Sequence, residues 1–365
     1  MAATPTIHGQ PAVSVIVPAR NEESCLGACL QSLLSQSGVA FEIIVVNDHS
    51  TDRTREIARS FFDQGVRVIE AETLPPGWTG KNNALVTGSK QARGQWLLFT
   101  DADTIHLPGS LKRALEEAGR RKAAMLSYSP QQIVKTFCEQ SIMPVIFGEL
   151  AATYRPSMVS DPRSPAAAAN GQYILTTREA YDAIGGHTAV ADQILEDVAL
   201  ARAVKQSGRK IDFRYAADAV RTRMYRNFGQ LREGWTKNLA LLFPTPLRLA
   251  AMRMLEFFLV IAAFSMAIAY ALQRHWSFFI LSAIITIFLY GLCLARIRRA
   301  HFSWSANALA LFGLPLFSYL LLRSQRFHQR GEVCWKGRVY PSSIAQKSGH
   351  CIPPLSQGLE INLRK

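Results

Sequence analysis

Val13-Ser-Val-Ile-Val-Pro-Ala-Arg-Asn-Glu-Glu23 opens as a β-branched run and closes in polar residues. A short apolar run bounded by such a turn predicts a buried strand. Phe41-Glu-Ile-Ile-Val-Val-Asn-Asp-His-Ser-Thr-Asp52, Val66-Arg-Val-Ile69 and Trp96-Leu-Leu-Phe-Thr-Asp-Ala-Asp103 repeat the form, with helix-like segments between them. That alternation predicts an α/β fold with a Rossmann-like, mostly parallel sheet. In such sheets ligands bind beyond the carboxyl ends of the strands. There the sequence places Arg20 to Glu23, Asn47 to Asp52 and Asp101-Ala-Asp103, so three strand ends are expected to converge on one polar crevice. Dinucleotide binding would need G-x-G-x-x-G after the first strand; Pro18-Ala-Arg-Asn-Glu22 is not that, and hydride transfer with NAD drops out.

Further along, Tyr173 to Thr177 and Ile211 to Tyr215 read as strands and Glu196 to Ser207 as a helix. Asn227 to Leu242 carries Phe228, Leu231, Trp235, Leu239 and Leu242 at helical spacing, which predicts an amphipathic interfacial helix with Trp235 near lipid headgroups. An amphipathic helix packed on protein has the same pattern. Beyond it Leu255 to Leu272, Trp276 to Ala295 and Ser305 to Leu322 are apolar, each close to the roughly 20 residues that span a bilayer core.

The net charge of +14 over 365 residues invites a nucleic-acid reading. No basic stripe interleaves with aromatics, however, and many arginines flank the apolar stretches, so a membrane surface is expected instead. The six cysteines, Cys25, Cys29, Cys138, Cys293, Cys334 and Cys351, show neither a C-x-x-C pair nor a zinc spacing. No cleavable leader precedes Val13, and the N-terminal domain is expected in the cytoplasm.

Asp101 and Asp103 stand two apart after an apolar run; if the chain stays extended, both carboxylates face one side. Two such groups suit Mg²⁺ or Mn²⁺, whose remaining positions would go to water and phosphate oxygens. Glu196 and Asp197 open a helix, where the dipole favours ionised carboxylates, one of which could act as a general base. Lys81, in Gly77-Trp-Thr-Gly-Lys81 just ahead of a helix expected from near Asn82, is placed to meet phosphate. His187, after Gly185-Gly186, is a candidate third metal ligand, although a lone histidine in a loop is more often structural.

Taken in order, Val15-Ile-Val-Pro-Ala-Arg-Asn-Glu22, Val46-Asn-Asp-His-Ser-Thr-Asp52, Gly80-Lys81, Asp101-Ala-Asp103, Gly185-Gly186 and Leu195-Glu-Asp197 resemble the signature of family 2 glycosyltransferases across roughly residues 12 to 240. The resemblance implies a GT-A fold. It implies that Pro18, Ala19, Arg20, Glu22 and Asp48 hold the nucleotide of a nucleotide-sugar, a uracil one first though guanine stays open. Asp101 would lie by the nucleotide, Asp103 would bind the metal, and Asp197, with Glu196 beside it, would be the base of an inverting transfer. Leu74-Pro-Pro-Gly-Trp-Thr-Gly-Lys81, Arg223-Met-Tyr225, Glu233-Gly-Trp-Thr-Lys237 and Trp335-Lys-Gly-Arg338 resemble the bacterial subgroup associated with carotenoids and hopanoids, diaponeurosporenoate glycosyltransferases included. That implies a lipid acceptor, with Gln230, Arg232 and Trp235 on the acceptor and membrane side. Two departures stand out: a membrane helix that precedes the catalytic domain in relatives has no counterpart before Val13, and Gln230 to Trp235 is one residue longer than the Q-x-x-R-W of processive synthases. Transfer to polyprenyl phosphate or a short polysaccharide is the alternative within enzymes, and a non-catalytic nucleotide-sugar-binding membrane protein the alternative outside them.

The expected organisation is a cytoplasmic catalytic domain over residues 1–226, an interfacial segment 227–250, a membrane region 251–325 and a basic tail 326–365. A multi-pass protein of the inner membrane follows. Arg296, Arg298 and Arg299 after the second span and Arg323, Arg326 and Arg330 after the third both ask for the cytoplasmic side. Gly313-Leu-Pro315 is therefore expected to break the third segment into a re-entrant or interfacial hairpin that returns Trp335 to Arg338 to the catalytic side.

Overall fold

The structure, a computed structural model, describes residues 10–340. Cys351 and the tail past residue 340 lie outside the described residues. The chain divides into two compact units, Met1–Leu231 with Gly291–Gly313, and Arg232–Tyr290 with Leu314–Lys365.

The first unit holds strands β1 (Val13–Ala19), β2 (Phe41–Asn47), β3 (Val66–Glu70), β4 (Trp96–Phe99), β5 (Thr104–His106), β6 (Met125–Ser129), β7 (Gln131–Gln132), β8 (Ile174–Thr177), β9 (Ile211–Tyr215) and β10 (Val220–Thr222). Its helices are α1 (Leu26–Leu34), α2 (Thr54–Arg59), α3 (Gly80–Gln91), α4 (Ser110–Arg121), α5 (Phe137–Thr153), α6 (Pro156–Ser160), α7 (Arg178–Ala183) and α8 (Glu196–Gln206). Seven strands form one sheet in the order β3-β2-β1-β4-β8-β6-β9, and β5-β10-β7 form a small second sheet. β1 pairs in parallel with β2 and β4, as β2 does with β3 and β6 with β9; only β8, between β4 and β6, runs antiparallel to its neighbours in the large sheet.

Because successive side chains of a strand point to opposite faces, one strand feeds two cores. Val13, Val15 and Val17 of β1 pack with Leu26 and Leu30 of α1, while Ile16 packs on the other face with Ala84 and Leu85 of α3 and Leu200 and Val204 of α8. Burial on both faces explains why these strands read as continuous apolar runs rather than alternating ones. β6 has no such signal: Met125-Leu-Ser-Tyr-Ser129 intersperses serines, and only its position inside the sheet buries it.

Helix α9 (Phe228–Leu242) crosses the division between the units, as do α11 (Trp276–Ile297) and α12 (Trp304–Arg330), whereas α10 (Pro246–Leu272) belongs wholly to the second. Three helices, the last three of the described residues, are long and apolar enough to cross a membrane. On α10 and α11, Leu255, Phe258, Phe264, Ile284, Ile287 and Phe288 are all exposed. Apolar surface of that extent calls for lipid or a partner rather than water.

Two expectations need correcting. Gly313-Leu-Pro315 does not break the third segment, since α12 runs through Pro315 as one helix of 27 residues. Proline removes one ladder bond, and the cost is local when packing holds the helix on both sides. Beyond Pro315 that packing is visible in the second unit: Ser318 donates to the Ala250 carbonyl at 2.9 Å, Arg323 Nε to Thr236 Oγ1 at 3.1 Å, and the Ala240 N–H to Ser324 Oγ at 2.9 Å. Before it, Gly313 is a contact point, because a Cβ there would run into the Ser141 carbonyl of α5. The second correction concerns Trp235, whose indole is 2 % exposed and therefore packed in protein rather than offered to headgroups. In the same unit a hairpin of β11 (Val333–Trp335) and β12 (Arg338–Tyr340) returns to α9: the Lys336 N–H donates to Glu233 Oε1 at 3.0 Å, and the Lys237 ammonium lies 5.1 Å from the Trp335 ring centre.

Candidate active site

The loops after β1 and β2 are stitched together. Asn21 and His49 both take left-handed backbone angles, φ 53° and 51°, which turn the chain sharply at each strand end. The Asn21 N–H donates to Ser50 Oγ at 3.1 Å, and Asn21 Oδ1 accepts from the Thr51 N–H at 2.9 Å. Arg20 Nη1 donates to the Asp48 carbonyl at 2.8 Å and the Glu22 N–H to Thr54 Oγ1 at 2.7 Å. Pro18 and Ala19 belong to β1 itself, and the Ala19 carbonyl accepts from the Asp48 N–H at 2.8 Å. Asp48 is thereby fixed, buried, at the end of β2.

The chain leaves β4 at Phe99 and turns, so Asp101 and Asp103 both belong to a turn, closed by the Thr104 N–H donating to the Asp101 carbonyl at 3.2 Å, rather than extending a strand. Strand alternation therefore does not set which way the two carboxylates face. Both carboxylates nevertheless lie in one neighbourhood with Glu22: burial pushes the Cys29 thiol up, and Asp103, Asp101 and Glu22 each add to it. Among the described residues no group of three or more histidine, cysteine, aspartate or glutamate side chains forms a metal cage.

Thr79 caps α3 by accepting from the Asn82 N–H at 3.2 Å, and Asn82 Nδ2 donates to the Val190 and Ala191 carbonyls at 2.8 and 3.0 Å. This anchors the helix at Gly80, two residues earlier than expected, and aims Lys81 into the crevice. Lys81 Nζ lies 2.8 Å from Asp101 Oδ1 and 2.7 Å from Glu196 Oε1. Burial works against the ammonium, but the two carboxylates outweigh it and hold Lys81 well above the ordinary lysine range.

Asp197 is held by two main-chain donors, the Gly171 N–H at 2.9 Å to Oδ2 and the Val198 N–H at 2.8 Å to Oδ1. Burial first and the Glu196 charge second raise its carboxyl to about 6, while Lys81 and the two N–H donors pull the other way. Tyr154, after α5, faces the same carboxylate: burial and then Asp197 push its phenol up to about 12. Gly171, missed in the sequence because it follows an alanine tract without motif character, thus belongs beside Asp197.

His187 lies within electrostatic reach of Lys81 and Glu196 but is enclosed by rings. It is fully buried, edge-on to Phe99 at 4.7 Å between ring centres, with Nδ1 3.0 Å from the Tyr181 hydroxyl. Burial lowers it to about 4, so the ring is neutral. Its placement is that of a core histidine. On α9, Gln230 and Arg232 are exposed, and Gln230 Oε1 accepts from the Arg226 N–H at 2.9 Å.

Residues 14–177 match the family model described as glycosyl transferase family 2. The 4,4'-diaponeurosporenoate glycosyltransferase of Staphylococcus aureus strain MRSA252 is 30% identical over 349 residues, covering 92% of this chain and 90% of that one. The chain belongs to glycosyl transferase family 2. Its family 2 relative in strain USA300, of the same name, is 32% identical over 238 residues, 63% of this chain and 61% of that one. Among solved structures, the mannosyltransferase PcManGT from Pyrobaculum calidifontis, in complex with GDP-Man and Mn²⁺, is similar with a TM-score of 0.50 at 16% identity, covering 88% of this chain and 87% of that one. The fold of this family 2 member is accordingly GT-A, as the sequence implied.

Proposed function

We propose that this chain transfers a sugar from a nucleotide-sugar, a UDP-sugar first, to a membrane lipid, with inversion at the anomeric carbon and with a divalent cation. One observation carries the reading: Asp197, pinned by two N–H donors, stands next to a Glu196–Lys81–Asp101 chain of charges across the strand ends. A base and a cationic group for a leaving diphosphate thereby share one crevice.

In this reading the nucleotide lies against Pro18 to Glu22 and Asp48, and Asp101 orients it. The protonated Lys81 offsets charge on the departing diphosphate. Asp103, with Asp101 beside it, supplies hard oxygen donors of the kind Mg²⁺ or Mn²⁺ takes, and such a cation would neutralise the leaving phosphate oxygens. Asp197 accepts the proton of an acceptor hydroxyl as its oxygen bonds to the anomeric carbon, opposite the breaking bond to diphosphate. An acceptor carboxylate, already ionised, would be oriented by Asp197 instead. An acid of that kind, 4,4'-diaponeurosporenoate, is what the Staphylococcus aureus relatives are named for.

The exposed apolar faces of α10 and α11 support a multi-pass anchor in the inner membrane, with residues 1–226 as the cytoplasmic catalytic domain and Gln230 and Arg232 toward the acceptor. The test is transfer from a panel of UDP- and GDP-sugars by the detergent-solubilised protein into membrane lipid extract, with and without EDTA. Metal-dependent label in the lipid phase is expected; nucleotide binding without turnover of any donor would sink the reading.

A further inference from the structure

Gly171 does not adopt a left-handed backbone angle, so conformation alone does not require glycine there. Space does. A Cβ on Gly171 would lie 3.0 Å from Lys81 Nζ, 3.2 Å from Glu196 Oε1 and 3.5 Å from Asp197 Oδ2. Its N–H independently donates to Asp197 Oδ2 at 2.9 Å. The loop that presents it is fixed from both ends: the Asn170 N–H donates to Ser127 Oγ at 2.8 Å, and the Gln172 N–H to Asn170 Oδ1 at 3.0 Å.

We infer that Gly171 is a positioning residue of the transfer reaction: its N–H sets the Asp197 carboxylate, and its bare Cα leaves the room in which the Lys81 ammonium reaches Glu196. The inference rests on Asp197 acting as the base. In Gly171→Ala the N–H is kept and the methyl meets the flexible end of Lys81 first, so the ammonium is what gives way. The groups facing Asp197 are Glu196, Lys81 and Tyr154, with Asp101 on the far side of Lys81, His187 near both Lys81 and Glu196, and Arg202 by Tyr154. Of those acting on Asp197, Lys81 favours its ionised form. Displacing it must therefore raise the pH at which the base becomes available.

The test is the pH profile of kcat at saturating donor for Gly171→Ala, Lys81→Met and the double variant, beside Asp197→Asn. Gly171→Ala is expected to move the acid limb upward by about half a unit and lower kcat roughly tenfold. Lys81→Met is expected to move the limb the same way, and the double variant to add little, since both changes act on one ammonium. A wild-type limb in Gly171→Ala, with or without a loss of kcat, overturns the inference, because a merely structural glycine lowers turnover without moving the limb. Should Gly171→Ala not accumulate, an unmoved limb in Lys81→Met overturns it equally. Transfer that survives Asp197→Asn would instead sink the assignment of the base, a failure distinct from that of Gly171.

Discussion

Lys81 Nζ stands 2.7 Å from Glu196 Oε1, so the first turn of α3 is tied to the first turn of α8 by an ion pair that also reaches Asp101. In the proposed reading the donor side and the acceptor side of the crevice therefore share one cation. Whatever draws Lys81 toward a diphosphate loosens its hold on Glu196, and Glu196 is the charge that acts most strongly on Asp197. On that reading, donor binding and the readiness of the proposed base are expected to be linked through a single ammonium.

Replacing the base isolates its role. Asp197→Asn keeps the size of the side chain and an oxygen for one of the Gly171 and Val198 N–H donors, the other then facing the amide NH2, and it removes proton acceptance. Transfer is expected to fall by roughly 10² to 10⁴, the range of general-base contributions. Nucleotide affinity, read by calorimetry on the same preparation, should stay near wild type. A comparable loss of nucleotide binding would point to a donor-site role instead.

The acidity of Asp197 gives a pH dependence with a definite sign. As the proposed base the group would work ionised, and it sits at about 6, so kcat should climb as pH rises through about 6 and level off above it. Glu196→Gln removes a negative neighbour that raises Asp197, and the limb should move to lower pH even where the rate falls. A limb moving upward in Glu196→Gln would contradict the electrostatics described.

Asp103 is the residue whose loss should mimic chelation. With EDTA the wild type is expected to lose transfer and to regain it on addition of excess Mg²⁺ or Mn²⁺. Asp103→Asn should need a higher metal concentration for half-maximal rate, by about tenfold or more. An EDTA-insensitive wild type would remove the cation from the mechanism while leaving Lys81 as the cationic partner.

Much of this could be read in advance because the informative residues are local. Strand ends declare themselves when an apolar run meets Arg20 to Glu23 or Asn47 to Asp52, and burial on both faces makes β1, β2 and β4 largely apolar, Ser14 and Glu42 apart. What escaped reading depends on distant partners. Gly171 gains its place only when α8 brings Asp197 to it across 26 positions of sequence. His187 looked like a ligand because the Phe99 and Tyr181 rings that enclose it are invisible from its own neighbours. Trp235 carried a membrane signal that its burial overrides.

Gly313 and Pro315 make the last prediction, because they resemble a helix break and are not one. Gly313 lies where α12 passes α5, with no room for a side chain against the Ser141 carbonyl. Gly313→Leu must push the helices apart or bend them, and overpacking of this kind costs about 1–3 kcal/mol. The detergent-solubilised variant should melt several degrees lower, with donor KM unchanged because the collision involves none of the crevice residues. Pro315→Ala restores a backbone donor inside a continuous helix and relieves the ring's clash with the preceding turn, so its melting temperature should not fall. A hairpin at this point would reverse both results: Gly313→Leu would be tolerated in an open turn, and Pro315→Ala would remove the residue that makes the turn.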